Sequence, residues 1–375
     1  MRRCVALLVL LSCILGLFGC SGYEAQPAET TTATTESQTA PTEDTKPQVG
    51  ISMPTRDVQR WVTEGDELKD VLQAVGLRVT LQYAEDDAAR QVSQIREMLD
   101  HGVQCLVITA VDSLALLDVL QEAKEKNVPV LAYDRMLMNT DWVAGYLSFD
   151  SKAVGVALGE YIVAGKQLDT AAAEDRSHTI EFFMGSPDDN NALLVYEGVM
   201  QVLQPYLDSG VLVCKSGKVL FEDNCVLRWA EDTARQYGED ILSQYYKEEP
   251  LEILCTAFDG LAYGCIQALT DAGCTEENWP FVTGQDAELQ AAKYILQGKQ
   301  TMTVFKDTRL LTQQCAKVVK ALLDGGVPEL QKDQSCNNNV QDVPSWLCQP
   351  QVVDSASLED VLYGSGYYTK DQLEG

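Results

Sequence analysis

From residue 48 onward, short apolar runs alternate with longer stretches whose apolar residues recur at helical spacing. This alternation predicts strands at 48–53, 78–83, 103–111 and 128–133, and helices at 57–75, 88–101 and 113–126. Because parallel strands need a crossover between them, the alternating order predicts a parallel sheet covered by helices on both faces. The runs CLVITAV and VPVLAY are apolar almost throughout, which is typical of strands buried on both sides.

The same alternation starts again after Phe149 and indicates a second α/β unit. Its predicted helices are 152–168, 191–207, 226–246 and 261–272, and its predicted strands are 179–184, 211–214, 251–257 and 280–283. The segment that follows predicts a helix at 288–297, a strand at 301–305 and a helix at 309–323. Two units with such an excess segment indicate a chain that crosses between two lobes more than once.

Charged and amide side chains follow nearly every predicted strand. They are the segments RDVQRW (56–61) and SPDDNN (186–191), the pairs Asp134 with Arg135, Gln285 with Asp286 and Lys306 with Asp307, and the single residue Asp259. The carboxyl ends of parallel strands form the usual ligand crevice. Carboxylates opposite guanidinium or amide groups match a hydroxyl, which both donates and accepts hydrogen bonds. Together with the aromatic ring of Trp61, which can cover an apolar pyranose face, this chemistry is suited to a sugar.

Each of these residues also has a purely structural alternative. Arg60 and Trp61 are compatible with the exposed and core faces of the first helix. Asp189 is compatible with a helix N-cap before residue 191, and Asp286 with a cap of the helix at 288. Arg135 is compatible with a surface pair. The pattern leaves both alternatives open for each residue, and their joint occurrence at strand ends favours the binding site.

The residues that precede the first predicted strand form two segments with distinct sequence patterns. Residues 1–19 combine two arginines, an apolar run and small residues, as a secretory signal does. The ending LFGC resembles a bacterial lipobox, which implies lipidation of Cys20. Residues 20–47 are rich in Thr, Ser, Pro and Glu with almost nothing apolar to bury, so we expect a flexible, lipid-anchored linker outside the cytoplasmic membrane.

Charge and composition exclude several classes of protein. The 375 residues carry 28 Lys+Arg against 56 Asp+Glu, a net charge of −28, which disfavours nucleic acid and anionic membrane surfaces as partners. The only two histidines lie far apart in sequence, which argues against histidine-based catalysis. No phosphate-binding glycine motif and no Cys-x-x-Cys occurs, so no cofactor and no metal are expected. Two disulfides, Cys214 with Cys225 and Cys336 with Cys348, are hypotheses for an exported protein.

The segments VGISMPTRDVQRW, LQYAEDD, VLAYDRM, FMGSPDDNNA, FDGLAYG, TGQDAEL and TMTVFKDTRLL resemble the periplasmic xylose-binding family and, more closely, its multiple-sugar-binding members. The resemblance runs in order from about residue 48 to the end. It implies the type I periplasmic binding fold: α/β, with two Rossmann-like lobes of parallel sheet joined by a three-strand hinge. It places 48–149 and 287–326 in the N-terminal lobe, and 150–286 and 327–375 in the C-terminal lobe.

The resemblance also assigns ligand-binding positions, residue by residue. Trp61 and Trp229 would cover the two faces of the sugar, and the remaining positions would bind hydroxyls or the ring oxygen. The complete set is Arg60, Trp61, Asp134, Arg135, Asp189, Asn190, Asn191, Trp229, Asp259, Asp286 and Lys306. Phe258 stands where xylose-specific members have Asn, which favours the broader aldose group.

The resulting expectation is a monomeric, membrane-anchored protein that binds an aldopyranose by hinge closure and delivers it to an ABC permease. No enzymatic step is expected. Asp134 and Asp286 could formally form a glycosidase pair, but neighbouring Arg and Lys residues would keep both ionised, whereas a general acid needs a raised pKa. A sugar sensor that presents its ligand to a membrane receptor, and a binder of another small polyol or furanose, remain as alternatives.

Overall fold

The computed structural model describes residues 45–374. The predicted signal segment, the lipidation site at Cys20 and the linker as far as residue 44 lie outside these residues. Within the described part, no helix is both long enough and apolar enough to cross a membrane.

The described residues form thirteen strands and twelve α-helices. The strands are β1 (Gln48–Met53), β2 (Arg78–Tyr83), β3 (Cys105–Ile108), β4 (Val130–Tyr133), β5 (Gly145–Phe149), β6 (His178–Phe183), β7 (Leu212–Val213), β8 (Ile253–Thr256), β9 (Phe281–Val282), β10 (Met302–Phe305), β11 (Gln331–Asn337), β12 (Asp342–Cys348) and β13 (Gln351–Asp354). The helices are α1 (Gln59–Ala74), α2 (Ala88–Asp100), α3 (Leu117–Glu125), α4 (Ser151–Lys166), α5 (Leu168–Ala173), α6 (Asn190–Asp208), α7 (Phe221–Asn224), α8 (Glu231–Tyr245), α9 (Asp259–Asp271), α10 (Leu289–Leu296), α11 (Thr308–Leu323) and α12 (Lys370–Glu374).

The first lobe is built on a seven-stranded sheet in the order β11-β12-β5-β4-β3-β1-β2. All its pairs are parallel except β11 with β12. One face packs against α1 and α11, where Leu68, Leu72 and Leu311 are fully buried. The other face packs against α2 and α3 around Ile95 and Leu120. Two apolar faces explain why β3 and β4 are hydrophobic at every position.

The second lobe is built on the sheet β7-β6-β8-β9, whose pairs are all parallel. β10 continues this sheet beyond β9, because Gln285 bridges to Val304, and β13 pairs with β10 in antiparallel orientation. On one face α4 and α6 approach closely: a Cβ on Gly155 would lie 2.0 Å from the carbonyl oxygen of Val195. Glycine is therefore required where these two helices cross.

The strand pairing corrects the predicted lobe boundaries. The chain passes between the lobes after β5, after β10 and after β12, which gives three crossovers. Residues 287–305 stay in the second lobe, although the prediction placed them in the first. β11 and β12 join the first lobe through β5, although the prediction placed residues 327–375 in the second. The boundaries taken from the resemblance were approximate, and the polar sequence of β11, QKDQSCN, carries no apolar pattern that would reveal an edge strand.

A predicted helix differs from the structure, and the observed strand β5 has no predicted counterpart. The helix predicted at 226–246 begins at Glu231, and a 3-10 turn at Leu227–Trp229 precedes it. Arg228 and Trp229 adopt positive φ angles of 59° and 56°, which break the helix. The strand β5 was not predicted, because its short run GYLSF lies next to the predicted restart of the pattern.

Both disulfide hypotheses are wrong, since all four cysteines are free. Cys336 lies opposite Val343 in the β11–β12 ladder, so Cys348 is five residues further along β12, about 16 Å away at strand spacing. Cys225 bridges to Met184 beyond the end of β6, whereas Cys214 follows β7, which pairs with the start of β6. Neither pair is close enough for a sulfur–sulfur bond.

Candidate functional site

The carboxyl ends of the strands in both lobes face one cavity, which we call the inner cavity. Nine of the eleven predicted ligand-binding residues line it: Arg60, Trp61, Asp134, Arg135, Asp189, Asn191, Trp229, Asp286 and Lys306. The cavity therefore lies where parallel sheets usually bind ligands. Most of these residues are nearly buried, with Arg60, Asp134 and Lys306 between 4% and 8% exposed.

Arg60 is the central cation of the inner cavity. It lies on the buried face of α1, where Arg60, Glu64, Leu68 and Leu72 recur every four residues, so its surface-facing alternative is wrong. Its guanidinium makes ion pairs with Glu64 and Asp134 and lies 3.2 Å from Asp286. One arginine thus holds three carboxylates that come from a helix, a strand end and the opposite lobe.

This cluster stabilises its own charges. Burial alone would lower the pKa of Arg60, but Asp134, Asp286 and Glu64 raise it well above its ordinary value. Burial likewise opposes ionisation of Asp134, yet Arg60 and Lys306 hold its pKa below the ordinary value. Burial raises the pKa of Glu64, against the effect of Arg60. At neutral pH Asp134 is therefore an anion that accepts hydrogen bonds and cannot serve as a general acid.

Asp286 brings the second cation into the cluster. Its Oδ1 lies 2.7 Å from the Nζ of Lys306, which also lies over the ring of Phe149 at 5.6 Å. Lys306 directly follows β10, at a crossover between the lobes. The two cations therefore come from the first lobe and from a hinge segment, and both meet a carboxylate of the second lobe.

Arg135 and Asp189 form a second charged pair across the cavity. The Nε of Arg135 lies 3.0 Å from the Oδ2 of Asp189, and its Nη1 donates to the carbonyl oxygen of Ala110 at 3.0 Å. Asp189 also caps α6 by accepting from the backbone N–H of Asn191. The cap predicted for Asp189 is confirmed through one carboxylate oxygen, while the other oxygen faces Arg135 in the inner cavity and leaves its predicted ligand contact a prediction.

Two tryptophans supply apolar surface. The ring of Trp61 lies beneath the guanidinium groups of Arg60 and Arg135, at 4.5 and 5.4 Å. Trp229 donates from Nε1 to Asp189 at 3.3 Å and stands edge-on to Phe258. It lies so close to Gly185 that a Cβ there would be 2.0 Å from the indole ring. Because glycine has no side chain, Gly185 leaves room for the indole ring of Trp229.

Backbone strain concentrates at the inner cavity. Asp86, Asp134, Arg228, Trp229 and Asp286 all line it and all have positive φ. Residues other than glycine rarely adopt such angles, and the cost is acceptable only where surrounding contacts impose them. At Asp134, the carbonyl oxygen accepts hydrogen bonds from Tyr146, Ser148 and Asn191. These bonds hold the turn that points its carboxylate into the cavity.

Two predicted residues do not line the cavity. Asn190 is the first residue of α6 and is not among the residues that line the inner cavity. Asp259 is fully buried and accepts from Gln300, Thr303 and the backbone N–H of Glu288. It therefore supports the turn that carries Asp286, and it does not line the inner cavity.

Seven lining residues were not among the predicted set: Thr55, Val58, Asp86, Ser151, Arg228, Phe258 and Gln285. Some of them could have been predicted from their positions in the sequence, because Asp86 follows β2 and Gln285 precedes Asp286 at a strand end. Arg228 stood in the predicted helix, where nothing indicated a turn.

A larger space adjoins the inner cavity. This outer cavity has a volume of about 1320 Å³ and lies between α1 of the first lobe and α10 and the C-terminal segment of the second. It shares seven lining residues with the inner cavity: Val58, Arg60, Asp86, Arg228, Trp229, Phe258 and Asp286.

Glu288, which lines the outer cavity, gives a prediction on pH. Burial and the nearby Asp286 raise its pKa to about 7, above the value of an unfolded glutamate. Its contribution to stability is thus full below pH 4.5 and lost as pH rises through 7. We expect Glu288→Gln to be more stable than the wild type at pH 8, on the order of 2 kcal/mol, with little difference at pH 5.

Urea unfolding at pH 5, 6, 7 and 8 measures this difference. Glu197→Gln, at an exposed position on α6, is the matched control and should follow the wild type at every pH. If the difference in unfolding free energy between Glu288→Gln and the wild type were the same at all four pH values, the raised pKa of Glu288 would be contradicted.

Among residues 45–374, no group of three or more metal-ligating side chains is placed to hold a metal ion. The arrangement instead offers fixed carboxylates, fixed cations and aromatic faces between two lobes. Such a site binds a neutral, hydroxylated molecule by hydrogen bonds and ring contacts. Two α/β lobes that face each other across such a cavity define a two-lobed ligand-binding protein.

A family model described as a periplasmic binding protein domain matches residues 49–326, and the chain belongs to this family. The multiple sugar-binding periplasmic receptor ChvE of Rhizobium radiobacter is 41% identical over 331 residues, which cover 88% of this chain and 93% of the receptor. The D-xylose-binding periplasmic protein of Escherichia coli K12 is 33% identical over 328 residues, covering 87% and 92%.

A solved structure agrees with this assignment. The crystal structure of an ABC transporter solute binding protein from Clostridium phytofermentans with bound β-D-glucose matches with a TM-score of 0.84 and 42% identity, covering 87% of this chain and 99% of that one. The predicted fold class, type I periplasmic binding, is confirmed. Since these relatives are binding proteins, the chain is a binding protein and not an enzyme.

Proposed function

We propose that the protein binds an aldopyranose outside the cytoplasmic membrane and delivers it to an ABC importer. The observation that carries this proposal is the charged cluster of Arg60, Asp134, Asp286 and Lys306 beside the ring of Trp61. Each carboxylate is held by a cation on one side, so its remaining lone pairs can accept from sugar hydroxyls. Each cation has further N–H groups for hydroxyl or ring oxygens. A site of this kind rejects ligands that lack the hydroxyls, because its buried polar groups would lose their partners.

Contacts between the lobes support binding by closure. Asn191 of the second lobe donates to the carbonyl oxygen of Asp134 of the first at 2.9 Å, and Arg60 meets Asp286 across the same gap. Residues of both lobes therefore surround one small space. A ligand that contacts both lobes favours the closed state by the difference between its affinities for the closed and the open form.

The breadth of the relatives supports an aldose ligand rather than strict xylose binding. One relative is named for multiple sugars, one for D-xylose, and a solved neighbour holds β-D-glucose. Phe258 lines the inner cavity and stands edge-on to Trp229, so it contributes an apolar wall in place of an amide. We infer a group of ligands that includes glucose, galactose, xylose and arabinose.

The proposal extends to location and partners. The family is periplasmic, and we infer that lipidated Cys20 anchors this chain to the membrane through the linker that follows it. The closed, sugar-loaded monomer would then dock on a membrane permease.

A sugar panel tests the proposed function. We expect at least one of D-galactose, D-glucose, D-xylose, L-arabinose and D-ribose to raise the melting temperature of the purified protein by several degrees. A ligand at 1,000 times its Kd adds about 4.1 kcal/mol. Calorimetry then ranks the sugars that bind. D-sorbitol, which has the hydroxyls but no ring, is the control and should bind much more weakly. If none of the five sugars raised the melting temperature, the proposal would be contradicted.

A further inference from the structure

The outer cavity is not explained by a monosaccharide ligand. Its volume of about 1320 Å³ exceeds the range of about 300–1,000 Å³ that is typical of pockets for drug-sized ligands. The inner cavity measures only about 40 Å³ on the same scale, so a single pyranose ring extends from it into the shared space and leaves most of the outer cavity unfilled. The two cavities share lining residues that include Trp229, Phe258 and Asp286, so a substituent on the bound sugar reaches the outer cavity without leaving the cleft.

The outer cavity repeats the chemistry of the inner one. Its second-lobe wall carries Tyr263, Tyr367 and Tyr368, and its first-lobe wall carries Thr63 and Glu67 of α1. Lys293 and Arg309 add cations. Aromatic faces, carboxylates and cations are again combined, which is the set that suits a hydroxylated ring.

The aromatic wall is held in place by its own packing. The ring of Tyr367 lies 4.7 Å from Phe305 and 5.0 Å from Tyr368, and the guanidinium of Arg309 lies 5.1 Å over it. Rings fixed in this way lose little further freedom when a ligand binds. Because the opposite wall belongs to the first lobe, a ligand here would contact both lobes and favour the closed state.

The geometry points to a second sugar subsite: the outer cavity takes a second hydroxylated ring that is attached to the monosaccharide in the inner cavity, so that the protein binds a disaccharide. This inference rests on the proposed function, because the first ring must occupy the inner cavity. A metal ion is a poorer occupant, since no group of three or more metal-ligating side chains is placed to hold one among the described residues.

Two blocking variants separate the cavities. Thr63 and Gln290 are exposed, lie on opposite walls and line only the outer cavity. Thr63→Trp and Gln290→Trp each place an indole ring in the outer cavity, at positions that do not line the inner one. Gln121→Trp, at an exposed position of α3 that lines neither cavity, is the matched control.

Calorimetry on each variant uses glucose, galactose and xylose beside cellobiose, lactose, maltose and xylobiose. We expect at least one disaccharide to bind the wild type, and both blocking variants to weaken it by about tenfold or more while the monosaccharide Kd changes by less than about twofold. Retained monosaccharide binding also shows that the variants fold.

Three results would overturn the inference. If monosaccharides bind and no disaccharide does, the second subsite is absent and the proposed function stands. If a disaccharide binds equally well to the blocking variants and to Gln121→Trp, its second ring lies elsewhere. If no sugar of either kind binds, the proposed function fails together with the subsite.

Discussion

Arg60→Met is expected to lower the free energy of unfolding by about 3–5 kcal/mol and to abolish sugar binding. The substitution keeps much of the side chain's length but removes the one charge that Glu64, Asp134 and Asp286 share. These carboxylates are nearly buried, and an unpaired buried charge is far more costly than an exposed one. Urea unfolding measures the loss of stability, and calorimetry with a sugar that binds the wild type measures the loss of affinity.

The pH dependence sharpens this prediction. Without Arg60, burial would raise the pKa values of Glu64 and Asp134, and protonation would remove their charge cost. A carboxyl whose folded pKa is raised contributes stability at low pH and loses it as pH increases. The deficit of Arg60→Met should therefore be smaller at pH 5 than at pH 8.

Arg56→Met is the matched control, four residues earlier in the chain. Arg56 pairs with Glu85 at the surface, where its side chain is 55% exposed, and exposed pairs contribute about 0–1 kcal/mol. Arg60→Lys keeps the charge but cannot reach three carboxylates at once, so we expect an intermediate loss. If Arg60→Met and Arg56→Met lowered the free energy of unfolding equally, the proposed stabilising role of the charged cluster around Arg60 would be contradicted.

The sequence predicts the sheet interiors well because burial on both faces leaves a strong apolar signal. β1 was predicted at 48–53 and is observed at those bounds, with five of its six residues buried. The half-buried edge strand β2 is also observed at its predicted bounds, 78–83. The lobe boundaries were predicted less well, because an apolar run such as that of β10 does not reveal which of the two sheets the strand joins. Only long-range pairing, such as Gln285 with Val304, assigns it to the second lobe.

The site was predictable in its residue types but not in its conformation. Strand ends indicated Asp134 and Asp286, and the structure brings them within reach of one arginine from α1. Their positive φ angles could not be read from the sequence, because they are imposed by contacts such as Asn191 with Asp134 across the lobes. Asp259 shows the reverse case, since a carboxylate at a strand end can be buried beneath a site that it only supports.

Arg228→Met is expected to weaken binding of every sugar by about thirtyfold, chiefly through faster dissociation. Arg228 belongs to the second lobe, yet its Nη1 donates to the carbonyl oxygen of Val111 in the first lobe at 2.8 Å and pairs with Asp188. The backbone of Asp188 in turn accepts from the N–H of Ser113 at 3.1 Å. These bonds join the two lobes, so we expect their loss to favour opening and release.

The pattern across sugars separates this role from a direct contact with ligand. A residue that only stabilises closure changes the affinity of all sugars by one factor, whereas a hydroxyl contact changes the ranking. Stopped-flow tryptophan fluorescence measures association and dissociation, and calorimetry measures the ranking. Arg235→Met, at a half-exposed arginine that pairs with Glu239 and Asp271 within the second lobe, should leave both unchanged. An unchanged dissociation rate, or a loss confined to one sugar, would contradict a closing role for Arg228, because a weakened closed state must release every ligand faster.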